Sequence, residues 1–374
     1  MHAPGNRIDR VYKVLCSVGA LVLSELVFTP SAYAGADSIF RHGFETTAPL
    51  PMPLISRNKP AFASSGNATA VVDGVYYGLA TWDVVPTVQN PAHVAIHVGA
   101  GAARAMLNWV AYPGSNVPAN YRIETSANSS NGSDGAWATA LTISDNQTPA
   151  RAHSFNFSGQ QWVRFVVTGA LSVGQGISIN EIDVHDASAG TSDSWMFVGD
   201  SISAAAFSRS LFEGNFPERI RAVTPNYFPL MIGAGVGGTS TYDGVQHIDE
   251  WLALHPEMQH WVISYGTNDS SNGNPATAPG FGDRLRIIVG KLQAAGKTVL
   301  VPRIPWNVGG AAYLGAFNAQ VDTVCAEFGL GVAPDLYAWF LAHPEHLYDG
   351  VHPNDNGSRA MNQLWADAVR PLYP

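Results

Sequence analysis

The spacing of apolar residues changes character once along this chain, near residue 190, and that change specifies two architectures in one polypeptide. Across 56–186, strand-length apolar or β-branched runs recur between Gly, Asn, Ser and Pro clusters, with no helical periodicity. The runs are 93–98, 106–110, 121–125, 138–143, 152–157, 162–168 and 177–185. Short strands at that spacing predict an antiparallel β-sandwich. A small-residue connector at 187–193 follows. From 194 to 374, strand-like runs at 195–198, 228–232, 261–265 and 298–303 alternate with helical stretches. Leu285, Ile288, Val289 and Leu292 fall at i, i+3, i+4, i+7, as do Met361, Leu364, Trp365 and Ala368. Such alternation predicts an α/β domain with a mostly parallel sheet covered by helices on both faces.

The first 34 residues read as a secretory signal. Arg7, Arg10 and Lys13 make a positive start, 14–28 is mostly apolar apart from Glu25, and Ala32-Tyr33-Ala34 fits a small-x-small cleavage site. The run is short for a spanning helix and Pro30 closes it, so cleavage near Ala34 and export are expected, with no stable membrane association. Residues 35–55 read as a leader and a Pro-rich linker. Cys16 would leave with the signal, and Cys325, in an apolar helical pattern, reads as a core residue. With one cysteine left there is neither a disulfide framework nor a cysteine metal cluster. Charged residues are only 13 %, the formal net charge is −9 and no basic patch appears. That balance excludes nucleic acid as a partner, since phosphate binding needs concentrated Lys and Arg. Oligomeric state is not encoded in any pattern visible here.

Within 56–186, several features resemble the discoidin-like, galactose-binding-like jelly rolls. They are Asn58-Lys59-Pro60, the 121–126 run, Gly135-Ala136-Trp137, Trp162-Val163-Arg164-Phe165 and the closing Asn180-Glu181-Ile182-Asp183-Val184. The resemblance implies a jelly-roll sandwich whose loop aromatics bind sugars. The loop candidates are Tyr76, Tyr77, Trp82 and Trp137, although an aromatic residue in a sandwich is more often core. Some such domains hold a structural calcium, and Asp73 with Glu181 could supply hard oxygen ligands, or simply form a surface pair.

Four short segments follow the ends of the later strands: Gly199-Asp200-Ser201, the Gly-rich 233–240, Gly266-Thr267-Asn268-Asp269, and Asp349-Gly350-Val351-His352-Pro353. Each alone reads as a turn. Together, over residues 194–374, they resemble the Gly-Asp-Ser-Leu (SGNH) hydrolase superfamily in residue type, order and spacing, which implies a three-layer, flavodoxin-like sheet. Ile202 stands where the name-giving Leu is found, and Gly233 where many members carry Asn.

The chemistry of the residues agrees with that resemblance. Acyl transfer needs a nucleophile, a base, an orienter for the base and donors for the oxyanion. Ser201 would be the nucleophile, His352 its base, and Asp349, three residues earlier, the carboxylate that holds the imidazole. His247, His255, His343 and His346 compete by residue type but lack that context. Asp200 suits turn hydrogen bonding better than orientation of the base. The resemblance implies that the backbone N–H groups of Ser201 and Gly238 and the Asn268 amide form the oxyanion hole, with no metal and no cofactor. Trp306 and Asn307, just past the 298–303 run, are candidates for the acyl pocket, although Trp306 could simply pack under its loop. The expectation is an exported serine esterase that removes small acyl groups, acetyl first, from an acylated carbohydrate or polysaccharide. The rivals are a lipid or aryl esterase or thioesterase of the same superfamily, which would want an insertion rich in Leu, Phe and Met that is not seen, and a carbohydrate-binding protein that has lost catalysis.

Overall fold

The computed structural model describes residues 48–208 and 214–374, all within one compact unit. The signal sequence, the leader and the first linker residues lie outside the described residues.

The sandwich is built from β1 (Ala61–Ala63), β2 (Trp82–Val84), β3 (Ala92–His97), β4 (Arg104–Ala111), β5 (Pro118–Ser126), β6 (Ala138–Ile143), β7 (Ala150–Asn156), β8 (Trp162–Ala170) and β9 (Ile177–Asp186). One sheet runs β1-β3-β8-β5-β6 and the other β2-β9-β4-β7, with every pairing antiparallel. The seven runs read from the sequence are all strands. The two it missed, β1 and β2, are three residues each, too short to show an alternation. Inward residues of both sheets meet around Trp109, Tyr121 and Phe165.

The second half carries β10 (Ser194–Gly199), α1 (Ser201–Ser203) with a π-helical turn after it, α2 (Phe216–Val223), β11 (Leu230–Gly235), α3 (Thr241–Leu254), β12 (His260–Ser264), α4 (Ala278–Ala294), β13 (Thr298–Leu300), α5 (Leu314–Phe328), α6 (Leu336–Ala342) and α7 (Asp355–Val369). Its sheet has the order β11-β10-β12-β13 and is wholly parallel. The chain turns from one side of β10 to the other, so a topological switch point lies at the carboxyl end of β10. Period-2 alternation fills both faces. Trp195 and Phe197 pack with residues of α2, α6 and α7, while Met196 and Val198 pack with those of α3, α4 and α5. β13 stops at Leu300, short of residue 303, because Pro302 offers no N–H to the ladder.

The α4 stripe is buried as its spacing predicts. That of α7 is rotated: Met361, Asn362, Trp365, Ala366 and Val369 are buried, whereas Leu364 and Ala368 are only half-buried. Asn362 explains the rotation. Its Oδ1 accepts the Phe216 N–H at 2.8 Å and its Nδ2 donates to the Ala206 carbonyl at 2.9 Å, so this polar side chain fastens α7 to two other elements. Cys325 is half-buried on α5, and burial pushes its thiol up to about 11.

The two halves are not tethered beads. From Leu50 onward the segment read as linker packs along β9, with the Ile55 N–H on the Val184 carbonyl and the Asp186 N–H on that of Pro53. Met52 is fully buried there. Met52, Met106, Ala150, Ala152 and Ala187 belong to the same apolar cluster as Met196, Ile232 and Trp261. Polar contacts cross the same seam: Arg151 donates to the Leu254 carbonyl at 3.1 Å and Ser154 to Glu257 at 2.7 Å. A shared core couples the folding of both halves.

One prediction concerns that seam and one the start of β10. Met106→Ala should cost about 2–5 kcal/mol and lower a single calorimetric transition of the whole chain. Two transitions, only one of them shifted, would show that the halves unfold separately. Asp193, buried at the start of β10, accepts from the Tyr373 hydroxyl at 2.8 Å and the Trp195 indole at 3.1 Å. Burial pushes its carboxyl up to about 7 despite those donors. A carboxyl raised on folding contributes stability that is present below its unfolded value and is lost as pH rises through the folded one. Asp193→Asn, which keeps an acceptor and cannot ionise, should therefore raise the melting temperature at pH 8 and show little gain at pH 4.

Candidate active site

The site is assembled at the carboxyl ends of β10, β11 and β12, which register places level: Gly199 pairs with Gly235 on one side and Ser264 on the other. At Gly235 the neighbouring backbone comes so close that an added Cβ would stand 2.3 Å from the Ala204 amide nitrogen. Only glycine allows that approach. Asp200 is the N-cap of α1, its Oδ1 accepting the Ile202 N–H at 2.9 Å, which presents Ser201 at the first helical position. Burial pushes the Asp200 carboxyl up to about 6 against that hydrogen bond. Asp200 thus shapes the turn, as its position suggested.

Ser201 Oγ lies 2.8 Å from His352 Nε2, and His352 Nδ1 lies 2.7 Å from Asp349 Oδ2. The carboxylate accepts the Nδ1–H, which leaves Nε2 as the acceptor for the serine hydroxyl. The other carboxylate oxygen, Oδ1, accepts the backbone N–H of Val351 at 3.0 Å and of His352 at 2.8 Å. Burial alone would push the Asp349 carboxyl up, but these donors and the imidazole outweigh it and hold it at about 2. It stays ionised throughout the range in which a histidine base works. The turn is closed by a bridge between Leu347 and Pro353 and by the Tyr348 N–H on the His352 carbonyl at 3.0 Å.

The Gly-rich loop runs beside Ser201, since a Cβ on Gly237 would stand 3.8 Å from the Ser201 Cβ. Gly238 has φ +82°, and nothing lies within 4 Å of where its Cβ would be, so an approaching substrate meets bare backbone there. Asn268 donates one N–H of its amide to the Thr239 carbonyl at 2.7 Å. A carboxamide has two such hydrogens, and the second remains for an oxyanion.

Asp269 and Arg284 support this arrangement, and sequence reasoning did not single them out. The Asp269 carboxylate, fully buried, accepts the Thr241 N–H at 3.1 Å and its hydroxyl, and pairs with Arg284 at 3.1 Å. Arg284 also donates to Thr241 and lies 3.7 Å under the exposed Tyr242 ring. The Gly266–Asp269 segment is thereby pinned to the start of α3. Asp269 follows Asn268 directly in the sequence, but Arg284 lies inside a helix where no local signal marks it.

The remaining candidates disperse. Among the competing histidines, His255 caps α3 at its carboxyl end and burial pushes it down to about 4, while His247 is exposed on α3. His343, Glu345 and His346 hold ligand atoms within 4.8 Å of one another, and this is the group of that kind among the described residues. His343 and His346 already face the Glu345 carboxylate at 3.3 and 3.8 Å and stack on Trp339. Trp306 is half-buried against the core around Trp195, and Asn307 is buried. Their loop is tied to the catalytic turn by the Val308 N–H on the Gly350 carbonyl at 2.8 Å.

In the sandwich, Trp82 is a correction: it is fully buried on β2 with its indole donating to the Ser65 carbonyl, so it is core and not a loop aromatic. Tyr76 is likewise turned inward, its hydroxyl between Asp183 and Arg57. Tyr77 stacks on Tyr112 and Trp137 carries the Arg164 guanidinium on its face at 4.0 Å; both are half-buried. Asp73 and Glu181, the pair with hard oxygens, differ in setting. Glu181 is buried, accepts the Gly74 N–H at 3.0 Å and faces Arg57 at 3.7 Å, while Asp73 is exposed and bonds to its own turn.

No helix among the described residues is long and apolar enough to cross a membrane. The model of the GDSL-like lipase/acylhydrolase family matches residues 197–360. No curated protein matches the chain. Among solved structures, the acetyl xylan esterase AlAXEase is similar at 23 % identity, over 47 % of this chain and 99 % of that one, with TM-score 0.40. The psychrotrophic esterase EstA from Pseudoalteromonas sp. is similar at 20 %, over 48 % and 97 %, TM-score 0.41. A chitosan-binding module from a Paenibacillus sp. IK-5 chitosanase/glucanase is similar at 24 %, over 35 % and 97 %, TM-score 0.29.

Asn268→Ala should lower kcat about 10²–10³-fold, the usual effect of removing one oxyanion donor, with little change in KM. Steady-state kinetics with an unchanged melting temperature would establish this, and a loss confined to KM would refute the role.

Proposed function

We propose, for a chain whose residues 197–360 match the GDSL-like lipase/acylhydrolase family, that it is an exported serine esterase removing small acyl groups, acetyl first, from a carbohydrate. The observation that carries the hydrolytic part is the chain of hydrogen bonds from Ser201 through His352 to Asp349, at 2.8 and 2.7 Å, beside Gly238 and Asn268. As Ser201 Oγ attacks the ester carbonyl, His352 Nε2 takes its proton. The carbonyl oxygen becomes an oxyanion facing the N–H groups of Ser201, Gly238 and Asn268. Collapse breaks the bond to the leaving alcohol, whose oxygen receives the proton from His352. Water, deprotonated by the same imidazole, then attacks the acyl-serine and restores the enzyme. Asp349 stays ionised throughout and stabilises the imidazolium.

The carbohydrate part rests on three features. The N-terminal signal pattern points to export, where polysaccharide esters are met. The segments bearing the catalytic groups are polar and Gly-rich, with no Leu, Phe and Met insertion to make a long acyl groove. A β-sandwich with Tyr77 and Trp137 partly open stands fused to the catalytic half. Trp306 and Asn307, on the loop tied to Gly350, would bound the acyl group. The alternative, a lipid or aryl esterase or thioesterase, uses the same triad and differs in that groove.

Acetate release from acetylated xylan, acetylated peptidoglycan and acetylated sialic acid, compared between wild type and Ser201→Ala, tests the reading, with nitrophenyl esters of increasing chain length alongside. Release from a saccharide that disappears in the variant is the expected result. Turnover of the nitrophenyl esters alone, faster with longer chains, would replace the carbohydrate reading with the lipid or aryl one.

A further inference from the structure

The exposed ring nearest the general acid belongs to Tyr348, which none of the catalytic roles uses. It is 68 % exposed, yet its ring centroid is 5.6 Å from that of His352 at an interplanar angle of 19°. Its backbone is fixed by the hydrogen bond to the His352 carbonyl and by the adjoining Leu347–Pro353 bridge. A large aromatic side chain left this open, on a backbone this constrained, presents a flat apolar face in a set place. We propose that Tyr348 is the platform for the leaving-group sugar, the pyranose ring whose oxygen His352 protonates. This deepens the carbohydrate reading above and rests on it.

The argument is geometric. When the acyl–oxygen bond breaks, the proton moves from His352 Nε2 to the departing oxygen, which must lie within hydrogen-bond reach of that nitrogen. The carbon ring bearing this oxygen then lies within a few ångströms of the imidazole edge, and the ring beside the imidazole is that of Tyr348. Pyranose C–H groups are the positive partners that the negative face of an aromatic ring attracts. An alcohol without a ring has nothing to lay on that face. Tyr348 therefore acts through substrate contact, on saccharide esters and not on esters of small alcohols. Tyr242, the other exposed tyrosine near these loops, stands at the start of α3 with Arg284 against its ring, away from the general acid's own turn.

The test compares Tyr348→Ala, Tyr348→Phe and Tyr348→Trp on an acetylated xylo-oligosaccharide and on ethyl acetate, whose leaving group is small and ring-free; nitrophenyl esters are avoided because their leaving group is itself aromatic. The expected result is that Ala lowers kcat/KM on the saccharide about tenfold or more, chiefly through KM, while ethyl acetate changes less than about threefold. Phe and Trp should restore most of the saccharide activity. An equal fall on both substrates would overturn the platform and make Tyr348 a positioning residue for His352. No fall on either overturns it outright. Wild type that splits ethyl acetate in a Ser201-dependent way but no saccharide ester overturns the carbohydrate reading and this inference with it, a result distinct from the other two.

Discussion

The catalytic end depends on how closely three parallel strand ends and one helical turn can approach. Gly199 and Gly235 sit level in adjacent strands, and neither tolerates a side chain. A Cβ on Gly199 would meet the Ser203 hydroxyl at 2.4 Å and the Ser264 carbonyl at 2.5 Å. With those positions bare, α1 settles against the sheet and the Ser201 hydroxyl emerges beside the Gly237–Gly238 backbone. The Val236 N–H on the Gly199 carbonyl and the Thr239 hydroxyl at the same carbonyl then tie the two loops together. A substitution that forced them apart by an ångström would leave every catalytic side chain present and the geometry spent, since positioning accounts for much of what such a site contributes.

Local pattern exposed most of this fold and the three side chains that meet, those of Ser201, His352 and Asp349, and long-range partnership stayed hidden. Strands of six residues or more show their alternation, and the catalytic segments sit where strand ends must place them. Trp82 stayed open in the sequence because a tryptophan between turn residues reads the same whether it faces sugar or core; only the pairing of β2 with β9 decides. Arg57 was invisible as the partner of Glu181, since the two are far apart in sequence and meet only when the N-terminal segment lies over β9. Asn362 reads as a defect in an apolar stripe until Phe216 and Ala206 are brought to it.

The fusion of the two halves has the same origin. β9 alternates, but Glu181, Asp183 and His185, which share one of its faces, are all buried. In a freestanding sandwich that face would point to water. Here it is covered by residues 50–57, and Arg57 also reaches Glu218 of the catalytic half at 3.5 Å. Burying so many polar groups is costly, and Arg57 is the cation that faces Glu181 and Asp183 there. A sandwich fixed in this way stands in one orientation to the other half.

Three aspartates near Ser201 show how environment assigns roles to one residue type. Asp200 is buried and spends its carboxylate on the first turn of α1, at the cost of a carboxyl raised to about 6. Asp269 is buried against Arg284 and Thr241, where it holds the Asn268 segment to α3. Asp349 alone is largely exposed, with two backbone N–H groups on one oxygen and the imidazole on the other. A carboxylate that must stabilise a transient imidazolium has to remain ionised without being neutralised by a permanent cation. Of the three, only Asp349 has both its carboxyl held low by hydrogen bonds and an oxygen bonded to His352. The other two could not replace it even at the same distance: one is tied to the turn that bears the nucleophile, and the other is already paired with arginine.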